Sequence, residues 1–398
     1  MRNPWRGLAG LPREIWILFT ANLVNRAGMM VLPMLIVYLT RQLGFSAARA
    51  GFIFAAFGIT AIVIGPLAGR LSDRVGPLVL MRASLLLSGL IILFYPFARS
   101  YRSVVAVTVL WALASEIFRP ASLAAITDVA RPEQRKAAFA VHRLAINLGM
   151  SIGPAIGGFL ATASFGAMFV VDGVTTIIAG IILSTATWRE TKHAPSESSR
   201  WSDGVLAPRF LTFLFGVFLV GIVFFQHVGA LPLFLVKNLG LSTAFYGLMF
   251  SINTLMVVVL EVPINAAMAH WKNRDSMALA CLLFAVGFGS LAFVSTAKGV
   301  LVTTVIWTFG EIFLFPSLSA HIGDVAPPAQ RGVYMGAQSM AMSSAFALGP
   351  WLGTAMLGRY GPAIAWPLMF AIGVTAAAIV ALAMPPGPAP AAAAAAGS

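Results

Sequence analysis

The sequence predicts an all-α membrane protein with twelve transmembrane helices, arranged as two parallel six-helix pseudo-repeats. Three observations predict this: too little charge for a water-facing surface, apolar runs of spanning length, and a motif that returns 196 residues later. Of the 398 residues, 59% are hydrophobic and 10% charged, and the mean hydropathy is +0.89. A soluble domain carries about 25% charged residues, so the bilayer is the solvent this composition suits. The formal charge of +13 could serve nucleic acid. Lys and Arg, however, sit in short gaps between apolar runs rather than on one polar face, so no nucleic-acid partner is expected. The single cysteine, Cys281, excludes an internal disulfide and reads as a small apolar residue inside a helix.

A spanning helix needs about 20 mostly apolar residues. The basic start MRNPWRGLAGLPRE leads into an apolar run too long for a cleavable signal peptide, so residues 15–40 read as the first, retained span. Polar breaks place the next helices at 48–69, 78–98, 103–126, 137–161 and 166–187. The stretch 188–207 is the one long polar segment and reads as a cytoplasmic linker. A second set follows at 208–236, 243–268, 276–296, 299–322, 333–357 and 363–384, and the Pro/Ala-rich residues 385–398 read as a disordered tail. The expected domains are therefore an N-terminal bundle, 1–187, and a C-terminal bundle, 208–384. With the N-terminus inside, 16 Lys and Arg fall in cytoplasmic segments, among them Arg70, Arg74, Arg131 and Arg274, against 7 outside. That bias places both termini in the cytoplasm, in a cell membrane such as a bacterial inner membrane.

The repeat is legible in the letters. DVARPEQR (128–135) returns as DVAPPAQR (324–331), and the same offset of 196 pairs Trp111 with Trp307, Pro120 with Pro316 and Gly153-Pro154 with Gly349-Pro350. Two copies of six helices both enter the membrane from the same side. Such parallel repeats are the arrangement of alternating-access carriers, with substrate handled near the midplane.

Residues 69–81 carry a second signal. They resemble the loop between helices 2 and 3 of the major facilitator superfamily, Gly-x-Leu-Ala-Asp-Arg-x-Gly-Arg-Lys-x-x-Leu, with Gly69, Leu71, Asp73, Arg74 and Gly76 matching. The Arg-Lys pair is replaced by Pro77 and Leu78, with Arg82 the nearest basic residue. The resemblance covers essentially the whole chain and implies the major facilitator fold. It also implies a cytoplasmic latch of Gly69, Asp73, Arg74 and Gly76, with Asp128 at the end of helix 4 as partner.

The run NLGMSIGPAIGG (147–158) places Gly149, Gly153, Pro154, Gly157 and Gly158 in an apolar helix. Proline in a helix interior costs roughly 3 kcal/mol and each glycine up to about 1 kcal/mol, but neighbouring membrane helices can satisfy the freed backbone and pack closely on small residues. The run therefore reads as a bend and close-packing face on helix 5, set against counterpart helices of the other half. It resembles the helix-5 motif of the drug:proton antiporters of that superfamily, Gly-x8-Gly-x3-Gly-Pro-x2-Gly-Gly, which implies export by exchange. Ala140 stands where the first glycine would be.

Charge at the bilayer centre costs about 2.5–3.5 kcal/mol on the lenient insertion scale, so charged residues there face a cavity or a partner. Glu261 and Glu311 have no basic residue within several positions. A carboxyl group in low dielectric that exchanges a proton, with the two forms favouring different conformations, is what proton coupling requires. Asp172 and Glu116 are further candidates. Asp172, near a helix start, could equally serve that helix N-terminus, and Glu116 with Arg119, three apart, could be a neutralising pair. Arg26, Arg119, Arg143, Asn147, Gln226 and His227 are candidates to line a substrate cavity, each with structural anchoring as the plainer alternative.

No nucleotide-binding loop, HExxH, GxSxG or His/Asp metal spacing is present, so neither an enzyme, a metal site nor a cofactor is expected. The reading is a monomeric secondary transporter whose partners are a small-molecule substrate, protons and the lipid bilayer, exporting amphipathic or drug-like molecules by antiport. A facilitator or symporter for a sugar, peptide or siderophore is the alternative within transport. A non-transporting sensor or lipid-handling protein is the alternative of another class.

Overall fold

The structure, a computed structural model, describes residues 10–131, 134–186, 206–268, 271–327 and 330–384, and among these no strand occurs. Residues 188–205 of the expected linker 188–207 and the tail 385–398 lie outside the described residues. The contacts divide the chain into two compact units, Met1–Glu197 with Ser242–Ser251, and Ser198–Leu241 with Ile252–Ser398.

The first unit holds α1 (Arg13–Gly28), α2 (Val31–Arg41), α3 (Ala47–Val75), α4 (Pro77–Phe94), α5 (Tyr101–Ser115), α6 (Phe118–Val129), α7 (Arg135–Ala163) and α8 (Phe165–Ser184). Local chemistry sets the boundaries. The Ser46 hydroxyl accepts the Arg49 N–H at the start of α3, and Ser100 and Ser103 form a capping box at α5. Between α3 and α4 the chain reverses at Gly76, whose φ of 92° suits a residue without Cβ, and Pro77 opens α4. Within the unit α1 packs on α7 and α8, α4 on α8 and α5, and α3 on α5. One core cluster joins Ile15, Leu18, Met81, Leu85, Phe118 and Leu183. Another is aromatic: Tyr38 meets Phe169 at 4.8 Å, Tyr95 stacks on Phe169 at 5.2 Å, and the Tyr95 hydroxyl bonds Thr108 at 2.7 Å.

The second set of helices repeats the first. It runs α9 (Pro208–Phe224), α10 (Ala230–Leu233), α11 (Thr243–Ala267), α12 (Asn273–Gly289), α13 (Ala297–Val325), α14 (Arg331–Tyr360) and α15 (Pro362–Ala383). The starts Ala47, Pro77, Tyr101 and Arg135 recur at Thr243, Asn273, Ala297 and Arg331, each 196 residues on. The neighbours recur too: α9 packs on α14 and α15, and α12 on α13 and α15. Cys281 is buried in α12.

Eleven helical stretches among the described residues are long and apolar enough to cross a membrane. The expected span 333–357 is the 30-residue α14, long enough to cross but rich in Gly, Ala and Ser rather than Leu or Ile. Three expected spans are each broken in two. Span 15–40 breaks at Met29-Met30, span 103–126 at Glu116-Ile117, and span 208–236 in a 3-10 turn at Phe225–His227. Pro33, Pro120 and Pro232 follow these breaks within four or five residues, and each removes an N–H that a continuous helix would use.

Candidate functional site

In the first unit a charged group gathers around α1. Arg26 sits near its C-terminal end, Glu116 caps α5, and Arg119 opens α6. The break between α5 and α6 follows from Pro120, whose missing N–H leaves the Glu116 carbonyl without its helical partner. The charges of Glu116 and Arg119 both act on Arg26, and those of Arg26 and Arg119 act on His142 of α7. Arg26 Nη1 donates to the Met29 sulfur at 3.1 Å, while Arg26 Nε is buried with no hydrogen-bond partner. One turn earlier, Asn22 Nδ2 lies 3.3 Å from His142 Nδ1, and Asn22 Oδ1 is buried without a partner. Arg143 and Asn147 follow on α7, the first exposed and the second half-buried.

Asp172 has a different place. Its Oδ2 accepts the Met30 N–H at 3.0 Å and the Val31 N–H at 2.8 Å, so a carboxylate from α8 caps the N-terminus of α2 where the first span breaks. Thr176 Oγ1 donates toward Asp172 Oδ1 and Asn25 Oδ1, each at 3.4 Å. The residue is 2% exposed. The helix start it serves is therefore that of α2, across the bundle, rather than one on its own helix.

The equivalent break in the second unit is held by Gln226 instead. Its Nε2 donates to Ile222 O and Gly349 O, both at 2.8 Å, and its Oε1 accepts the Ala230 N–H at 3.4 Å. At 0% exposure, with both amide hydrogens and the oxygen engaged, Gln226 is a core fastener. His227 is also inside the unit. Its Nδ1 lies 2.7 Å from Phe224 O, and its ring stacks on Trp307 with centroids 6.0 Å apart.

The acidic pair lies on α11 and α13. Asn253 Nδ2 donates to Glu311 Oε2 at 2.9 Å and to Thr308 Oγ1 at 3.0 Å. The charge of Glu261 acts on Glu311, so the two carboxyl groups that the sequence singled out belong to one neighbourhood. The Glu261 carbonyl accepts the Asn265 side chain at 2.7 Å. Asn22, Asn25, Thr176 and Asn253 were not among the expected site residues. An amide in an apolar helix was the available signal for three of them.

The glycines of α7 form two faces. A Cβ on Gly149 would meet Arg26 Cβ at 2.4 Å, one on Gly153 would meet Arg26 O at 2.7 Å, and one on Gly157 would meet Met30 Cβ at 2.6 Å. These three, four residues apart, seat α1 and so set the position of Arg26. In α14 the equivalents Gly349 and Gly353 face Ile222 and Gln226 in the same way. Gly158 points elsewhere, to Thr243, Ala244 and Gly247, and Thr243 Oγ1 donates to Gly158 O at 2.8 Å. That close approach groups Ser242–Ser251 with the first unit, where the expected boundary left it with the second bundle. The helix runs through Pro154 without interruption.

Of the expected latch, the surroundings of Gly69 and the side chain of Asp73 lie outside what the structure describes. Arg74 is exposed, Gly76 makes the turn described above, and Asp128 is half-buried near the end of α6. Its repeat counterpart Asp324 accepts the Asn273 side chain at 3.0 Å. Arg82 instead reaches the end of α8, donating to Leu183 O at 3.1 Å and to Ala186 O. No cluster of three or more His, Cys, Asp or Glu side chains suited to a metal ion occurs among the described residues.

The family model described as Major Facilitator Superfamily matches residues 18–235 and 213–397. An uncharacterized MFS-type transporter of Bacillus subtilis (strain 168), YqjV, is 26% identical, over 87% of this chain and 87% of that protein. The quinolone resistance protein NorA of Staphylococcus aureus (strain MSSA476) is 24% identical, over 92% of this chain and 95% of that protein. Among solved structures, a peptide transporter POT in complex with sulfate shares the fold, with a TM-score of 0.78 at 16% identity over 96% of this chain and 95% of that one.

Proposed function

The chain belongs to the major facilitator superfamily, a family of multi-pass membrane transporters, and from that premise we propose that it exports small amphipathic molecules in exchange for protons. The observation that carries the reading is the Glu311 neighbourhood. A carboxyl group in an apolar helix, hydrogen-bonded to Asn253 at 2.9 Å and within reach of the Glu261 charge, can exist in two protonation states with different hydrogen-bond demands. Coupling needs two such states that favour different conformations. Asp172 and Glu116 are weaker candidates, the first because two backbone N–H groups hold its carboxylate and the second because it lies among arginines.

Export is favoured by the antiporter-like run 149–158 and by relatives named for quinolone and multidrug resistance. The protein works as a monomer in the cell membrane, with both termini in the cytoplasm. The test is reconstitution into liposomes containing a pH-sensitive dye, challenged with a panel of cationic, zwitterionic and anionic amphipaths. Protons move on addition of a transported compound, and Glu311→Gln loses that movement while still binding the compound. A panel without any pH response refutes antiport.

A further inference from the structure

We infer that the Arg26 neighbourhood of the first unit is a binding site for the oxyanion group, carboxylate or similar, of an amphipathic substrate. The inference rests on the transport reading above and names the chemistry of what is carried. A guanidinium offers five N–H donors in a planar fork and prefers paired oxygens. Among the described hydrogen bonds, Arg26 finds only a thioether sulfur as acceptor, and its Nε is buried with none. A thioether is a weak acceptor, so the fork is poorly satisfied.

The surrounding charge does not offset this. Among the described residues Glu116 is the carboxylate whose charge acts on Arg26, and the charge of Arg119 opposes it. Asp172, which α8 brings to the start of α2, is held there by the Met30 and Val31 N–H groups. Two guanidinium groups against one carboxylate leave an excess positive charge within a membrane-spanning bundle, with Arg119 exposed and Arg26 half-buried, and such charge calls for a counter-charge. The root of the side chain that carries the fork is also pre-positioned. Gly149 and Gly153 hold Arg26 against α7 so closely that a Cβ would fall 2.4 Å from Arg26 Cβ and 2.7 Å from Arg26 O. Binding to an ordered fork loses less side-chain freedom than binding to a mobile one.

Binding of 4-phenylbutanoate and of its uncharged amide, 4-phenylbutanamide, to the full chain in phosphatidylcholine nanodiscs tests this, with empty nanodiscs subtracted. The carboxylate binds about tenfold or more tighter than the amide, and Arg26→Gln or Arg119→Gln brings the two within a factor of about two. Glu116→Gln, which removes the competing carboxylate, tightens the carboxylate several-fold, so the inference stays testable if an arginine variant does not fold. Equal binding of the two probes to the wild type overturns it, as does a preference that survives both arginine substitutions. A preference that vanishes when phosphatidylglycerol is added gives the site to a lipid headgroup and overturns the substrate assignment. Proton movement with lipophilic cations but no carboxylate preference refutes this inference alone, whereas a panel without proton movement refutes antiport.

Discussion

Replacing Gly158 with alanine adds a methyl group where α7 meets the segment 243–247. The new Cβ would fall 2.4 Å from Thr243 O, 3.1 Å from Ala244 Cα and 3.1 Å from Gly247 Cα. All three are backbone atoms, so no side chain can turn aside and the two segments must part by roughly an ångström. Overpacking of this kind costs about 1–3 kcal/mol. The Thr243–Gly158 hydrogen bond of 2.8 Å lengthens with it, at about 1 kcal/mol. Alanine returns about 1 kcal/mol of helix propensity. The net destabilisation of the contact is then about 1–3 kcal/mol, roughly a fivefold to hundredfold change in its opening equilibrium. Hydrogen–deuterium exchange over residues 244–251, in protein held in nanodiscs, reads that equilibrium directly. Gly336→Ala is the control, because its Cβ would meet nothing within 4 Å. If Gly158→Ala leaves exchange at the wild-type rate, or changes it no more than Gly336→Ala does, close packing at Gly158 is not what holds Ser242–Ser251 to the first unit.

Asp172→Ala leaves the Met30 and Val31 N–H groups without their acceptor and destabilises the first unit by about 2–4 kcal/mol, read as a lower denaturation midpoint; Asp172→Asn, which keeps an oxygen acceptor, lowers it less. Gln226→Leu, of similar size, orphans the Ala230 N–H at the start of α10 at a cost of about 1–3 kcal/mol, and the loss appears in the same assay. Arg82→Ala frees the carbonyls of Leu183 and Ala186 at the end of α8 and costs about 1–2 kcal/mol; unchanged thermal stability would show that water replaces the guanidinium at no cost.

Much of the architecture was readable from the letters. Hydropathy marks spanning helices because lipid penalises charge, and the offset of 196 between DVARPEQR and DVAPPAQR reappears as the spacing of Ala47 from Thr243 and of Arg135 from Arg331. The breaks inside three spans do not follow from the letters, even with Pro33, Pro120 and Pro232 printed there. A membrane helix can absorb a proline when a neighbour satisfies its backbone, as α7 does at Pro154 and α13 at Pro316. Whether a given proline breaks the helix depends on who stands beside it.

The site divides along the same line. That Glu261, Glu311, Asp172, Glu116 and Arg26 are costly in a bilayer, and so need partners, follows from residue type and position alone. Which partner each one has does not. Asp172 meets Met30 and Val31 from 142 and 141 residues away, and Asn253 meets Glu311 across 58. Arg26 is set beside Glu116 and Arg119 by glycines on a third helix. Helix formation and membrane insertion are decided over a few turns of chain, by hydrogen bonds and transfer energies that each segment carries itself. Charge pairing is decided by packing between segments, and so the tertiary structure alone separated the carboxylate that caps a helix from the one that neighbours another acid.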